Sequence, residues 1–174
     1  KEILSLISPL KDVDVMNEKS LGKIFIGDDD LAPATAKAIM YMLDYYHIDL
    51  KGKECLVIGR SISVGKPVSM MLLNKNATVT IAHSRTIDLF DKVKNYDVII
   101  CAVGKPHFLD SKLAKESAII IDAGIHYLDD GRIVGDVIPS SGVKMISKVP
   151  GGVGTITTMV LMENVLKLYF MQKE

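Results

Sequence analysis

A glycine-containing loop follows the first apolar run that has the character of a strand. That run is Glu54–Ile58, and the loop after it extends from Gly59 to Pro67. The loop is not the G-x-G-x-x-G fingerprint of dinucleotide sites, because only Gly59 and Gly65 are glycine. Between a strand and a helix, however, backbone N–H groups and the helix N-terminus can cradle a diphosphate. The position therefore favours nucleotide binding over an ordinary tight turn, which the loop by itself leaves open.

The residues after the second predicted strand indicate whether NAD or NADP would bind. An NAD enzyme usually places Asp or Glu there to hold the ribose 2′-hydroxyl. Here the positions hold His83, Ser84, Arg85 and Thr86, with no carboxylate among them. Guanidinium groups suit a phosphate, and both Arg60 and Arg85 can face the same ribose. We therefore favour NADP over NAD, with a solvated loop cation as the alternative for Arg85 and a structural hydrogen bond as the alternative for His83.

Two further segments stand out near the ends of the chain. Gly151, Gly152 and Gly154 fall within four positions just before a predicted helix, which lets the backbone approach a ligand closely. Apolar neighbours on both sides favour an ordered loop over a flexible connector. Near the start, Asp12 and Asp14 place two carboxylates in one short stretch, which without context is more typical of a solvated turn.

The elements that position these loops alternate along the chain. Apolar periodicity predicts helices over 32–46, 67–74, 87–94, 109–115 and 157–169, and apolar runs predict strands over 54–58, 77–83, 97–103 and 118–124. The segment 17–30 lies outside this rhythm. Alternation with short loops implies right-handed βαβ units and an α/β fold with a doubly wound, Rossmann-type parallel sheet. Ligands of such sheets bind at the carboxyl ends of the strands, where the loops above would meet.

Composition narrows the class of protein. The chain has 174 residues, the size of about one domain. Its 21 basic and 21 acidic side chains cancel, so no overall field attracts nucleic acid or an anionic membrane. Cys55 and Cys101 sit in apolar runs, as buried free thiols do in a reducing cytoplasm. We expect a cytoplasmic protein with no membrane segment, no nucleic-acid partner and no metal site.

Taken together, the motifs resemble the bifunctional methylenetetrahydrofolate dehydrogenase/methenyltetrahydrofolate cyclohydrolase (FolD) family. The resemblance runs from about residue 8 to the end and rests on five motifs in the family's order: Lys11–Asp14, Gly59–Ser61 with Val64–Pro67, Ala77–Thr80 with His83–Thr86, Gly135–Val137 and Pro150–Gly154. It implies NADP as cofactor, bound by Gly59, Arg60, Ser61, Gly65, Ser84, Arg85 and Ile125. It also implies that Asp14 is the catalytic-site residue that holds the pterin ring of a folate substrate, in a cleft lined by Pro150, Gly151, Gly152 and Val153.

The resemblance further implies a reaction and a domain organisation. In the family, hydride leaves 5,10-methylenetetrahydrofolate for NADP, and water then opens the methenyl product to 10-formyltetrahydrofolate. The family's Tyr-x-x-x-Lys motif belongs to a preceding catalytic domain, and the same spacing at Tyr169 and Lys173 is a coincidence. Residues 1–30 would be the linker and edge of that domain, residues 31–174 the NADP-binding domain, and Lys1, without an initiator Met, suggests a fragment. A homodimer is also implied.

Departures from the family pattern gather at the folate end. Val15 stands where the family has Gly, the stretch from Ala34 to Ala38 replaces Cys-Thr-Pro-x-Gly, and Thr155 replaces Pro. The fit of the substrate is therefore less secure than that of the cofactor. Two alternatives stay open: a noncatalytic module for NADP binding and dimerisation, and a Rossmann dehydrogenase of the shikimate type.

Overall fold

A parallel sheet with helices on both faces forms the centre of the structure, a computed structural model that describes Leu4 and residues 6–173. Five strands pair in the order Thr78–Ala82, Glu54–Ile58, Val98–Cys101, Ile119–Asp122 and Met145–Ile146, and every pair is parallel. This confirms the predicted doubly wound α/β fold. The strands are β1 (Glu54–Ile58), β2 (Thr78–Ala82), β3 (Val98–Cys101), β4 (Leu109–Asp110), β5 (Ile119–Asp122), β6 (His126–Tyr127), β7 (Ile133–Val134), β8 (Val137–Ile138) and β9 (Met145–Ile146). The α-helices are α1 (Glu18–Phe25), α2 (Ala34–Tyr45), α3 (Gly65–Asn74), α4 (Leu89–Lys92) and α5 (Val153–Met171).

Alternate residues of each central strand enter two separate apolar cores. In β1, Cys55 and Val57 belong to the core under α2, α3 and α5, whereas Leu56 and Ile58 belong to the core under α4. Both faces of β1, β3 and β5 are therefore covered, which explains why these inner strands are apolar runs, whereas the edge strand β2 is largely exposed. Cys55 and Cys101 are buried free thiols, as expected, and burial raises the pKa of Cys55 to about 12.

Two segments differ from the sequence-based expectation. The predicted helix over 109–115 is wrong: Leu109–Asp110 pairs with β8, and only Ser111–Leu113 forms a 3-10 turn. The buried Ser111 hydroxyl bonds the backbone of Ser140, which holds the segment to its neighbour instead of letting it coil. Conversely, 17–30 contains helix α1, whose first turn is capped by the Asn17 side chain accepting from Lys19 N.

Helices α2 and α5 pack side by side and carry a shared polar network. Tyr41 donates to both carboxylate oxygens of Glu163, at 2.9 and 2.8 Å, and the Lys37 ammonium lies 3.3 Å from the same carboxylate. Burial lowers the pKa of Lys37 and raises that of Tyr41 to about 12. Asn164 Nδ2 donates to the carbonyls of Val13 (2.9 Å) and Ala32 (3.1 Å), which fastens the segment before α2 to α5.

The outer side of α5 is apolar and open. Four large side chains there are more than half exposed: Met159 (68%), Met162 (66%), Leu166 (59%) and Phe170 (62%). Even so, no helix within the described residues is long and apolar enough to cross a membrane. The predicted domain boundary after residue 30 stays a prediction. Asn164 bonds one residue on each side of it, Val13 and Ala32.

Candidate functional site

Two cavities lie along the carboxyl edge of the sheet. The first has a volume of about 240 Å³ and is lined by Ile58, Gly59, Arg60, Ser61, His83, Ser84, Ala102, Val103, Lys105 and Phe108. The second, of about 410 Å³, is lined by Thr35, Asp122–Ile125, Lys148–Thr155 and Thr157. Residues from the loops after β1, β2 and β3 therefore share the first cavity, and Ile125 shares the second with the Gly-rich loop before α5.

Both glycines of the β1–α3 loop lie so close to other backbone atoms that no side chain fits at either position. Gly59 has φ +129°, and a Cβ on it would overlap the carbonyl oxygen of Ala102. A Cβ on Gly65 would lie 2.6 Å from the Gly59 carbonyl carbon and 2.8 Å from Arg60 N. The loop therefore lies against the end of β3, and Gly59 brings main chain to the lining of the first cavity. A glycine at this place lets a diphosphate approach the backbone closely.

Ser61 lies four residues before α3 and binds the backbone at its start. Its hydroxyl accepts from the backbone N–H groups of Val64 (3.1 Å) and Gly65 (3.3 Å), and its carbonyl accepts from Lys66 N. The first amides of α3 are thus engaged by Ser61. Arg60, which is exposed at the rim, supplies positive charge beside them.

The segment after β2 forms a tight turn, closed by a bond from Thr86 N to the His83 carbonyl at 2.8 Å. Thr86 Oγ1 accepts from His83 N, and His83 Nδ1 accepts from Arg85 N at 3.2 Å. His83 thus makes a structural hydrogen bond, the alternative given above, and it also lines the first cavity. Ser84 lines the first cavity, while Arg85 is exposed at the next position and is not among its lining residues.

The loop before α5 is built around glycines, as predicted for an ordered segment. A Cβ on Gly152 would overlap the carbonyl oxygen of Lys148, and Gly151 has φ +94°. All four predicted substrate-binding residues, Pro150 to Val153, line the second cavity. Asp14 is not among the lining residues; its Oδ1 accepts from Ala34 N at 3.0 Å, and the next residue, Thr35, does line the cavity.

Lys105, Asp122 and Asp136 are site residues that sequence reasoning did not assign. Lys105 adds a cation to the first cavity. The sequence could have indicated it, because it lies in the loop after the third predicted strand, at the edge where ligands bind. Asp122 lines the second cavity at the end of β5. Asp136 belongs to neither lining but bonds the loop after β3; the Gly135–Val137 motif singled it out without indicating this role. None of the described residues forms a cluster of three or more His, Cys, Asp or Glu side chains suited to a metal ion.

Known proteins resemble this chain in sequence and in architecture. A family model described as tetrahydrofolate dehydrogenase/cyclohydrolase, NAD(P)-binding domain, matches residues 33–173. The bifunctional protein FolD of Dictyoglomus thermophilum is 46% identical over 164 residues, which cover 92% of this chain and 58% of that protein.

Solved structures agree with the family match. The bifunctional FolD enzyme of Campylobacter jejuni superposes with a TM-score of 0.91 at 40% identity, covering 96% of this chain and 61% of that one. The Trypanosoma brucei methylenetetrahydrofolate dehydrogenase-cyclohydrolase, solved with NADP cofactor and inhibitor, gives 0.91 at 33% identity, covering 99% and 63%. This chain thus spans about three fifths of the length of these relatives. Because the family model and the relatives agree, the alternative of a shikimate-type dehydrogenase is set aside. The chain belongs to the tetrahydrofolate dehydrogenase/cyclohydrolase (FolD) family, of which it carries the NAD(P)-binding domain.

Proposed function

We propose that this chain is the NADP-binding part of an enzyme that oxidises 5,10-methylenetetrahydrofolate and hydrolyses the methenyl product to 10-formyltetrahydrofolate. One observation carries the proposal: Gly59, Arg60, Ser61 and Ser84, from two separate loops, converge on one cavity at the carboxyl edge of the sheet. The residues predicted to contact the folate line a second cavity at the same edge, together with Ile125. A dinucleotide laid along this edge joins the two cavities.

The residues present suit NADP in particular. The first cavity holds two cationic side chains, Arg60 and Lys105, and Arg85 lies next to its lining residue Ser84. Cations at this place favour a ribose 2′-phosphate, and the segment 83–86 contains no carboxylate to repel it. Bound NADP supplies the hydride acceptor of the dehydrogenase reaction.

At the second cavity, this chain's residues orient the reactants. Ile125 is half exposed and offers an apolar surface to the nicotinamide ring. The loop from Pro150 to Val153 forms a wall against which the folate would lie. We propose Asp14 as the acceptor for pterin N–H groups, since it is exposed and bonded to the neighbour of Thr35.

Hydrolysis of the methenyl group needs a partner domain. The relatives are longer than this chain by about two fifths of their own length, since the chain covers 58% of one and 61% of another. The open apolar side of α5 supports such a domain, because a contiguous exposed apolar surface is normally covered by a partner. We propose that the companion domain supplies the catalytic Lys and covers this face, and that the enzyme acts as a homodimer, which sedimentation would test.

Paired arginine substitutions test the cofactor assignment. Arg85→Gln and Arg60→Gln each remove a cation beside the expected 2′-phosphate, so NADP affinity by calorimetry should fall about tenfold while NAD affinity changes little. Arg132→Gln is the matched control, because Arg132 is exposed and bonded to Asp130 in the β6–β7 turn. Equal NADP affinity in all three variants and the wild type would remove the support for a 2′-phosphate site here.

A turnover assay separates the proposal from a noncatalytic binding module. The chain is mixed with methylenetetrahydrofolate and NADP, alone and with the amino-terminal domain of a FolD relative, and NADPH is followed by absorbance. Turnover in either mixture supports a dehydrogenase. NADP binding without turnover in both mixtures would favour the noncatalytic module.

A further inference from the structure

One buried carboxylate holds the loop after β3. Asp136 is fully buried, and its Oδ2 accepts from the backbone N–H groups of Val103 (2.6 Å) and Gly104 (3.0 Å). Its Oδ1 accepts from Lys105 N at 3.0 Å. Three consecutive N–H groups turned toward one centre form the kind of concavity that binds anions, and here the chain's own carboxylate fills it. The loop 103–105, which lines the first cavity, therefore takes its conformation from Asp136.

A second buried carboxylate holds the backbone around Asp136. Asp122, the last residue of β5, accepts at Oδ1 from Gly124 N (2.8 Å) and Asp136 N (3.0 Å), and at Oδ2 from Val137 N (2.9 Å). Burial raises the pKa of Asp122, and these backbone donors oppose that rise. The two carboxylates thus link the end of β5 to the segment 135–137, and that segment to the loop after β3.

Two glycines make room for this pair of carboxylates. A Cβ on Gly124 would lie 2.5 Å from Asp136 Cγ, and a Cβ on Gly135 would lie 2.5 Å from Asp122 Cγ. Any larger residue at either position would push a carboxylate off its backbone donors. The segment from Gly135 to Val137, for which the sequence alone offered no role, is therefore built to hold Asp136 in place.

His126 connects the same carboxylate to the second cavity. Its Nε2 lies 2.7 Å from Asp136 Oδ1, and since a carboxylate only accepts, Nε2 carries the proton. His126 follows Ile125, which lines the second cavity. Asp136 therefore bonds a loop of the first cavity and the start of β6 at the edge of the second, so one side chain fixes their separation.

We propose that Asp136 is a positioning residue for the dinucleotide, setting the loop after β3 so that a cofactor reaching both cavities meets a preformed surface. The inference rests on the proposed function, namely that the chain binds NADP. Its physical basis is preorganisation: a loop already held in its bound conformation loses less conformational entropy when the ligand arrives.

The test compares Asp136→Asn with an equally buried control. The amide group of Asn turns a donor toward backbone N–H groups, so NADP affinity by calorimetry should fall about tenfold or more. In the cofactor-free chain, hydrogen exchange at the Val103 to Lys105 amides should become faster. Ser111→Ala is the control, since Ser111 is fully buried, bonds the backbone of Ser140 and lines neither cavity. It should lower stability and leave NADP affinity unchanged within about twofold.

The outcomes separate this inference from the proposed function. A wild-type chain that binds no NADP contradicts the proposed function, whatever the variants do. A wild type that binds NADP, beside an Asp136→Asn chain that binds equally well despite faster loop exchange, overturns the positioning role alone. If Asp136→Asn does not fold, His126→Ala takes its place, because it removes one of the four bonds to the carboxylate; we expect affinity to fall about threefold, and unchanged affinity overturns the role.

Discussion

Gly65→Ala is the perturbation whose effect the structure predicts most sharply. Gly65 begins α3, and the added methyl carbon would lie 2.6 Å from the Gly59 carbonyl carbon and 2.8 Å from Arg60 N. Both are backbone atoms, so relief requires the β1–α3 loop itself to move. Overpacking of this kind costs about 1–3 kcal/mol, and in a chain of this length each kcal/mol lowers Tm by about 2–4 °C. We therefore expect Tm to fall by about 2–12 °C and NADP binding to weaken, because the same loop lines the first cavity.

Gly22→Ala is the matched control for this substitution. Gly22 lies inside α1, and beyond its chain neighbours and the backbone of its own helix no described atom would come within 4 Å of the added methyl. Because Ala is favoured over Gly inside helices by about 0.5–1 kcal/mol, Tm should rise by about 1–4 °C. Thermal unfolding followed by circular dichroism measures both variants. A Gly65→Ala chain that melts at or above the wild-type temperature would refute the close approach of α3 to the β1 loop.

Three further predictions concern the contacts of α5 with α2 and with the segment before α2. Asn164→Ala leaves two backbone carbonyls without their donor, so urea unfolding should show a loss of about 2–4 kcal/mol. Burial tends to raise the pKa of Glu163, but hydrogen bonds from Tyr41 and Lys167 outweigh it and lower that pKa below 4.5. The stabilisation from Glu163 is therefore present above pH 4.5 and lost as pH falls below it, and Glu163→Gln should lose less stability on acidification. Burial and Glu163 raise the pKa of Tyr41 from 10.0 to about 12, so its stabilisation is complete below pH 10 and lost as pH rises toward 12; Tyr41→Phe should flatten this alkaline loss.

The centre of the sheet was predictable because strands β1, β3 and β5 are buried on both faces. Strands such as β1 and β3 are then short apolar runs, and alternation with helices implies their parallel order. Strand β9 was not predicted, since Met145–Ile146 is two residues long and becomes a strand only by pairing with β5. The segment 109–115 has helical periodicity, but pairing with β8 and the bonds from Ser111 override it.

The site was predictable where local sequence determines it. Gly59, Arg60, Ser61 and Ser84 follow directly after strands, so their place at the carboxyl edge follows from the topology. The engagement of the α3 amides by Ser61 was not predictable, because a hydroxyl in a Gly-containing loop has several possible partners. The role of Asp136 depends on bonds to residues more than thirty positions earlier in the chain, and a single Asp in a loop gives no periodic signal.

The structure shows the backbone conformation at Val15, one of the positions that depart from the family pattern. It has φ +54°, a backbone conformation that favours glycine, and its side chain is almost fully buried. The backbone conformation thus suits the Gly that the family resemblance implies at this position. Ala36 and Ala38 are fully buried inside α2, where small residues let this helix pack closely on the core.

A crystal structure of this chain with NADP tests the central claim most directly. Our account predicts the diphosphate over the backbone of Gly59 to Ser61, the 2′-phosphate beside Ser84 and Arg85, and the nicotinamide at Ile125 in the second cavity. A cofactor bound elsewhere on the chain, or one whose 2′-phosphate contacts neither Arg60 nor Arg85, would contradict it.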